Sequence, residues 1–230
     1  FIAYIAASLD AQKLSACKNW LPELKKLWLE KYDGYAVIGG RYYCLLLAYQ
    51  YLESGPSIKS TVVKEVEDFL IKQESILEEG GEARAIKYLL VVVFFSRRDF
   101  SRAWDYCQSI LNSSATAPRK ELFDATRLLF LLVLVESKKL EELEYYCRQL
   151  EGFVRKKEKK EYLLERTLVK HFKQLSNPLL SSKEQQVILG DLNSALKKIE
   201  TMNNLCAKQL THYFDFRGWV QERMERLTNK

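Results

Sequence analysis

The side chains able to do chemistry are few and scattered. The sequence holds two histidines, His171 and His212, and five cysteines, Cys17, Cys44, Cys107, Cys147 and Cys206. A bound metal or an activated nucleophile needs partners at set spacing, yet no HExxH, CxxC, GxSxG or phosphate-cradling glycine loop occurs in the chain. Each histidine adjoins an aromatic residue, Phe172 or Tyr213, on a helical stretch. Both read as surface or boundary side chains. Gly39-Gly40-Arg41 lacks phosphate-loop spacing and reads as a turn that precedes a helix. The carboxylates Glu65, Glu67 and Asp68, and again Glu78 and Glu79, read as solvated helix faces. Acid–base work would require two of them to meet in an apolar cleft. No catalytic, cofactor-binding or metal-binding residue is assigned, and a noncatalytic role is the expectation.

Charge is concentrated at one place. Arg155, Lys156, Lys157, Lys159 and Lys160 lie within one run, interrupted by Glu158 and closed by Glu161. The formal net charge is +6, and the excess of Lys and Arg lies in the second half of the chain. This run is a candidate patch for an anionic partner, with Lys170 and Lys173 on the next helical stretch. Its other reading is a solvated helix end on which Lys and Glu pair locally. Nucleic acid is therefore carried as an alternative partner, with weak binding expected. No helix combines a basic stripe with exposed aromatics, and no helix-turn-helix pattern stands out.

The elements that must position these groups read as helices. Only 4 Pro and 9 Gly punctuate 230 residues, and apolar positions recur at i, i+3 and i+4 between them. Asp10 can cap a helix toward Trp20, and Pro22 sits in the first turn of the next, which Asp33-Gly34 ends. A helix is placed from about Arg41 to Leu52, since two adjacent glycines disfavour an earlier start. After the turn at Ser54 to Ser57, the inward face of the following helix is Ile58, Val62, Val66, Phe69, Leu70, Ile76 and Leu77. Beyond the basic run, Tyr162, Leu164, Leu168, Phe172 and Leu175 form another stripe, stopped by Asn177-Pro178. Ser182 with Gln185 fits a capping box for the helix through Leu189 and Leu196. A last helix runs from about Asn203 through Tyr213 and Phe216 to Leu227.

Two stretches repeat one pattern at an offset of 40 residues. Tyr88–Leu111 and Leu128–Leu150 each begin with eight apolar residues, pass a short polar step and continue as an amphipathic helix with a Tyr-Cys pair. Phe100 falls on Leu140, Ala103 on Leu143, Tyr106 on Tyr146, Cys107 on Cys147 and Ile110 on Leu150. A helix carrying eight consecutive apolar residues has no polar face left, so it must be covered on every side, by neighbouring helices or by a partner chain. Neighbouring helices are the expected cover. The units 82–111 and 119–151 are the clearest copies, and Asn112 to Pro118 reads as a connector within one domain.

The first copy resembles a tetratricopeptide repeat: Val91 and Phe94 on one helix, a four-residue turn, then Phe100, Ala103, Cys107 and Ile110 on the second. Leu131, Leu134, Leu140, Leu143, Cys147 and Leu150 match in the second copy. The resemblance implies an α-solenoid that binds a protein or peptide partner, and leaves open which one. The expected fold is all-α, with antiparallel helical hairpins stacked as a compact tetratricopeptide-like solenoid or multi-layer bundle. It is read as one helical repeat domain over residues 1–230. Phe1 is not an initiator methionine, so the sequence reads as a fragment of a longer chain. Odd-numbered, widely spaced cysteines on apolar faces fit free thiols in a reducing compartment, and a cytoplasmic location is expected. Apolar runs of about two turns are too short for a membrane span. The oligomeric state is left open.

Overall fold

The computed structural model describes residues 19, 21–29, 35–113, 119–156, 162–202, 207, 210–211 and 213–229. They form ten helices: α1 Leu21–Leu29, α2 Tyr35–Ser54, α3 Ser60–Gly80, α4 Glu82–Ser96, α5 Phe100–Leu111, α6 Lys120–Glu136, α7 Leu140–Arg155, α8 Leu163–Leu175, α9 Ser182–Thr201 and α10 Phe216–Thr228. The fold is all-α, with no strand among the described residues. The expected helix from Asp10 toward Trp20, the break at Asp33-Gly34 and most of the Asn112 to Pro118 connector lie outside the described residues. Two compact units divide the chain, Phe1–Thr126 and Arg127–Lys230, and the division falls within α6.

In the first unit, α2 packs against α1, α3 and α4, and α4 packs against α3 and α5. No loop separates α3 from α4: Gly81, at φ 78°, ends one and precedes the other. A left-handed residue is what a helix terminus wants there, and glycine adopts it without strain. Contrary to the sequence reading, α2 runs straight through Gly39-Gly40. Tertiary contact explains the difference. A Cβ on Gly40 would lie 2.7 Å from Leu77 Cδ2 and 3.3 Å from Glu82 Cβ, so the missing side chain lets α2 approach the α3–α4 junction. That packing offsets the helix cost of glycine, about 1 kcal/mol relative to alanine. On α3 the inward face is Val63, Val66, Phe69, Leu70 and Leu77, while Ile76 is exposed. Ile58 is buried ahead of the helix rather than on it.

The two hairpins share one turn geometry at the 40-residue offset. Arg98 and Lys138 both take left-handed backbone, at φ 60° and 58°. Asp99 and Lys139 follow at φ −82°, ψ 71° and φ −84°, ψ 70°. Asp99 N donates to Phe94 O at 2.9 Å, and Lys139 N to Leu134 O at 3.0 Å. Arg98 N reaches Phe95 O at 3.0 Å, and Lys138 N reaches Val135 O at 3.3 Å. These paired bonds satisfy the last carbonyls of α4 and α6 as a Schellman turn does. In the first copy the Asp99 side chain also accepts from Arg102 N and caps α5; Lys139 supplies no such cap.

Both apolar runs are covered. Leu128 to Val135 are all buried, and so are Leu90, Val91 and Val93 to Phe95. On the second helices, Ala103, Cys107 and Ile110 are buried on α5, and Leu143, Cys147 and Leu150 on α7. Ala103 is 0% exposed. With the site closed to solvent, Ala103→Trp is expected to overpack the α4–α5 contact and cost about 1–3 kcal/mol in a urea melt. A midpoint equal to wild type would refute that placement.

The second unit continues in sequence order. Phe130 of α6 meets Tyr146 of α7 edge-on, with ring centroids 4.9 Å apart. α7 packs on α8, α8 on α9 and α9 on α10. The capping box of α9 is Ser181 with Glu184, one residue earlier than the spacing of Ser182 and Gln185 suggested. Glu184 wins because its carboxylate accepts from both the Ser181 N–H and the Ser181 hydroxyl, each at 2.7 Å. α10 begins only at Phe216, where Asp215 caps it by accepting from Gly218 N at 2.8 Å, so the last helix does not run unbroken from Asn203. Among the described residues, no helix is long and apolar enough to cross a membrane.

Candidate interaction site

Arg155 and Lys156 close α7, and both are exposed; Lys157, Lys159 and Lys160 of the basic run lie outside the described residues. Glu151, one helical turn before Arg155, sits between two cations. Arg155 Nη2 approaches its Oε1 at 3.1 Å, and Lys173 Nζ of α8 approaches its Oε2 at 3.0 Å. The hydrogen bond from Lys173, then that from Arg155, holds the Glu151 carboxyl below the ordinary range. An anion arriving here must compete with a carboxylate already in place. Lys170 is exposed on α8.

The carboxylates read as solvated faces do more than face water. Tyr43 Oη of α2 donates to Glu65 at 3.1 Å, and Tyr106 Oη of α5 donates to Glu67 at 2.7 Å. Arg102 also pairs with Glu67, and its guanidinium lies 3.9 Å from the centroid of the Phe94 ring. Lys87, buried on α4, bridges Glu74 at 2.6 Å and Glu78 at 2.8 Å. Burial alone would lower the Lys87 pKa, but hydrogen bonds to Glu74 and Glu78 carry it above the usual lysine value. Sequence periodicity assigned these acids to the outer flank of α3; it gives no sign that long side chains on α2, α4 and α5 reach over to them.

His171 is also placed differently from the sequence reading. It is buried, with Nδ1 2.7 Å from the Thr167 carbonyl, which holds the proton on that nitrogen. His212 lies outside the described residues. Among those residues, no group of three or more His, Cys, Asp or Glu is arranged to hold a metal ion.

Cys44, Cys107 and Cys147 are free and buried, while Cys17 and Cys206 lie outside the described residues. Burial raises all three thiols, and Cys147 is pushed up to about 12. A thiol held protonated is a poor nucleophile. Cys107 and Cys147 are therefore expected to resist thiol reagents until the chain unfolds. Rapid labelling of either in native buffer would contradict the packing.

One arrangement escaped the sequence reading altogether. Glu136, the last residue of α6, is nearly buried and collects donors from three side chains of α10. Trp219 Nε1 donates to its Oε1 at 2.9 Å, Arg223 Nη1 at 3.0 Å and Arg226 Nη2 at 2.8 Å; Arg226 Nη1 adds a bond to Oε2 at 3.1 Å. Arg223 lies 5.8 Å from the Trp219 ring centroid, and Trp219 meets Phe172 of α8 edge-on at 5.7 Å. The only sequence signal was an acid closing an apolar run. Its partners stand 83 to 90 residues away.

Comparison of the chain with protein-family models, with curated proteins and with solved structures finds no match in any of the three.

Proposed function

We propose that the chain is a noncatalytic helical-repeat module that binds a protein or peptide partner or serves as a scaffold, built on tetratricopeptide-like hairpins. The observation that supports this reading is the shared turn at Arg98 and Lys138, where backbone angles and hydrogen bonds correspond at the 40-residue offset. Hairpins that repeat in sequence and in turn geometry are the unit from which solenoids that recognise other proteins are assembled. The test is affinity capture from the native source with the full-length protein, followed by reconstitution of the pair from purified components. A reconstituted complex that survives dilution to micromolar concentration is expected. If no captured protein rebinds the purified chain, the reading fails.

Nucleic acid remains the second reading because Arg155, Lys156 and Lys170 are exposed in one stretch of the chain. The Glu151 bridge argues for weak binding, since a cation already paired releases little counterion on meeting a phosphate, and each neutralised phosphate contributes a salt slope of about −0.9 on duplex DNA. Titration with duplex and single-stranded oligonucleotides at near-physiological salt is expected to show at most weak, salt-labile binding. Submicromolar binding lost on changing Arg155, Lys156, Lys157, Lys159 and Lys160 to Ala would instead promote this reading.

A further inference from the structure

We propose that α10 is a displaceable occupant of an acceptor site formed by Glu136 and Phe172, and that the site's partner is a helix presenting the same Trp-x3-Arg-x2-Arg face, which binds by exchange with α10. The proposal rests on the interaction-module reading and names the chemistry of its partner.

The acceptor is specific in what it takes. An ionised carboxylate offers about four lone-pair directions, and Glu136 has four bonds from α10 alone. Two of them come from the fork of Arg226, the geometry in which guanidinium and carboxylate match best. The indole adds a donor at its edge and an apolar body against Phe172. At about 100° per residue, positions i, i+4 and i+7 fall on one helix face. Trp219, Arg223 and Arg226 have that spacing, so any helix carrying it can present the same three groups together.

α10 packs along α9, and what makes it an occupant rather than a core helix is that its fully buried apolar side chains are confined to one half. It buries Phe216, Trp219 and Val220, all in its first half, while α8, of equal length, buries Leu164, Leu168, Val169, Phe172 and Leu175 along its whole run. Gln221, Glu222 and Glu225 are exposed, and Met224 and Leu227 are partly so. The second half of α10 is tied by Arg223 and Arg226 to Glu136, with Gln186 Nε2 donating to Thr228 Oγ1 at 3.0 Å and Met224 lying against Gly190 of α9. Charge-assisted bonds with partly exposed arginines exchange partners more readily than a buried apolar stripe, because water and salt can replace them step by step. The helix also has its own cap at Asp215, so its start does not depend on a helix continuing from before it. Once α10 leaves, Glu136, Phe172 and the face of α9 it packed along form a half-apolar, half-acidic slot of the kind an amphipathic helix fills.

The experiment uses the full chain and a fluorescently labelled peptide copying residues 214–230 as the probe. In the wild type, the chain's own α10 competes at high effective concentration. In Arg223→Ala/Arg226→Ala the acceptor is intact but its occupant is loosened. The peptide is expected to bind this variant at least tenfold more tightly than wild type, and Glu136→Gln added to it should remove the gain. Equal binding to wild type and double variant, or a gain that survives Glu136→Gln, overturns the proposal. If circular dichroism shows that the double variant has lost more than one helix, Arg226→Gln alone decides by the same comparison. No native partner enters this readout, so its failure is separate from a failed capture. A reconstituted partner that the peptide cannot displace also overturns the exchange while leaving the interaction module standing.

Discussion

Glu136→Ala is expected to release α10 from its acceptor, with a loss of about 2–4 kcal/mol in the free energy of holding that helix. Removing one partner of a buried ion pair costs about 3–5 kcal/mol, because the remaining charges are left desolvated and unpaired. The lower figure applies here because the side chains of Arg223 and Arg226 retain 18% and 30% of their exposure and can recover some hydration. The effect should be local. Amide exchange across Phe216–Thr228 should accelerate by about one and a half to three orders of magnitude, which is what that free energy implies, while α4 and α5 keep their protection. Uniform loss of protection in both units would show that α10 is part of one cooperative core.

Acid should act on the same contact. Burial alone would raise the Glu136 pKa, but the hydrogen bonds from Arg226 and the charge of Arg223 outweigh it, and the carboxyl is held below its ordinary value of 4.5. A carboxyl whose pKa falls on folding contributes its full stability above the unfolded value and loses it as pH drops through the lower folded value. Protection of α10 is therefore expected to be flat above about pH 5 and to decline below the ordinary carboxyl range. Glu136→Gln should abolish that decline. A profile unchanged by the substitution would assign the acid sensitivity to another group.

The second large effect is expected in the first hairpin. Phe94 is 1% exposed and stacks on Tyr106, with ring centroids 5.8 Å apart and planes within 6°. The Arg102 guanidinium covers it at 3.9 Å. Phe94→Ala removes the common floor of both contacts and opens a cavity, at a cost of about 3–5 kcal/mol. Phe94→Leu keeps most of the volume while losing the ring face, and should cost about half as much or less. Urea denaturation of the three proteins checks the order. If Phe94→Ala falls within about 1 kcal/mol of wild type, the α4–α5 interface is not the packed core described above.

What could be read from the sequence follows from how local the determining forces are. The α4–α5 hairpin was legible almost to the residue, since the short polar step and the Phe100, Ala103, Cys107 stripe act within a few turns of one another. The start of α2 was not, because what keeps a helix through Gly39-Gly40 is the approach of Leu77 and Glu82, about 40 residues away. The shift of the capping box from Ser182 to Ser181 turned on a choice between Glu184 and Gln185 that spacing does not make; the charged acceptor won. His171 carries a polar side chain on a boundary stripe, and its bond to the Thr167 carbonyl, which offsets part of the cost of burial, is not visible in the spacing. The basic run was visible as composition, whereas the sharing of Glu151 between α7 and α8 was not. The Glu136 acceptor had no local signature, because a single sequence carries no record of which distant helix returns to which turn.

That same return has a consequence for the order in which the chain folds. The α4–α5 and α6–α7 hairpins close loops of a few residues, and such contacts form early because little chain entropy is lost in making them. The bonds from Arg226 to Glu136 join residues 90 positions apart, so they must wait until α7, α8 and α9 are in place. In a transition state made of hairpins, Glu136 is still solvated. Its substitution should leave the refolding rate nearly unchanged and appear almost wholly as faster unfolding, whereas Phe94→Ala should slow refolding.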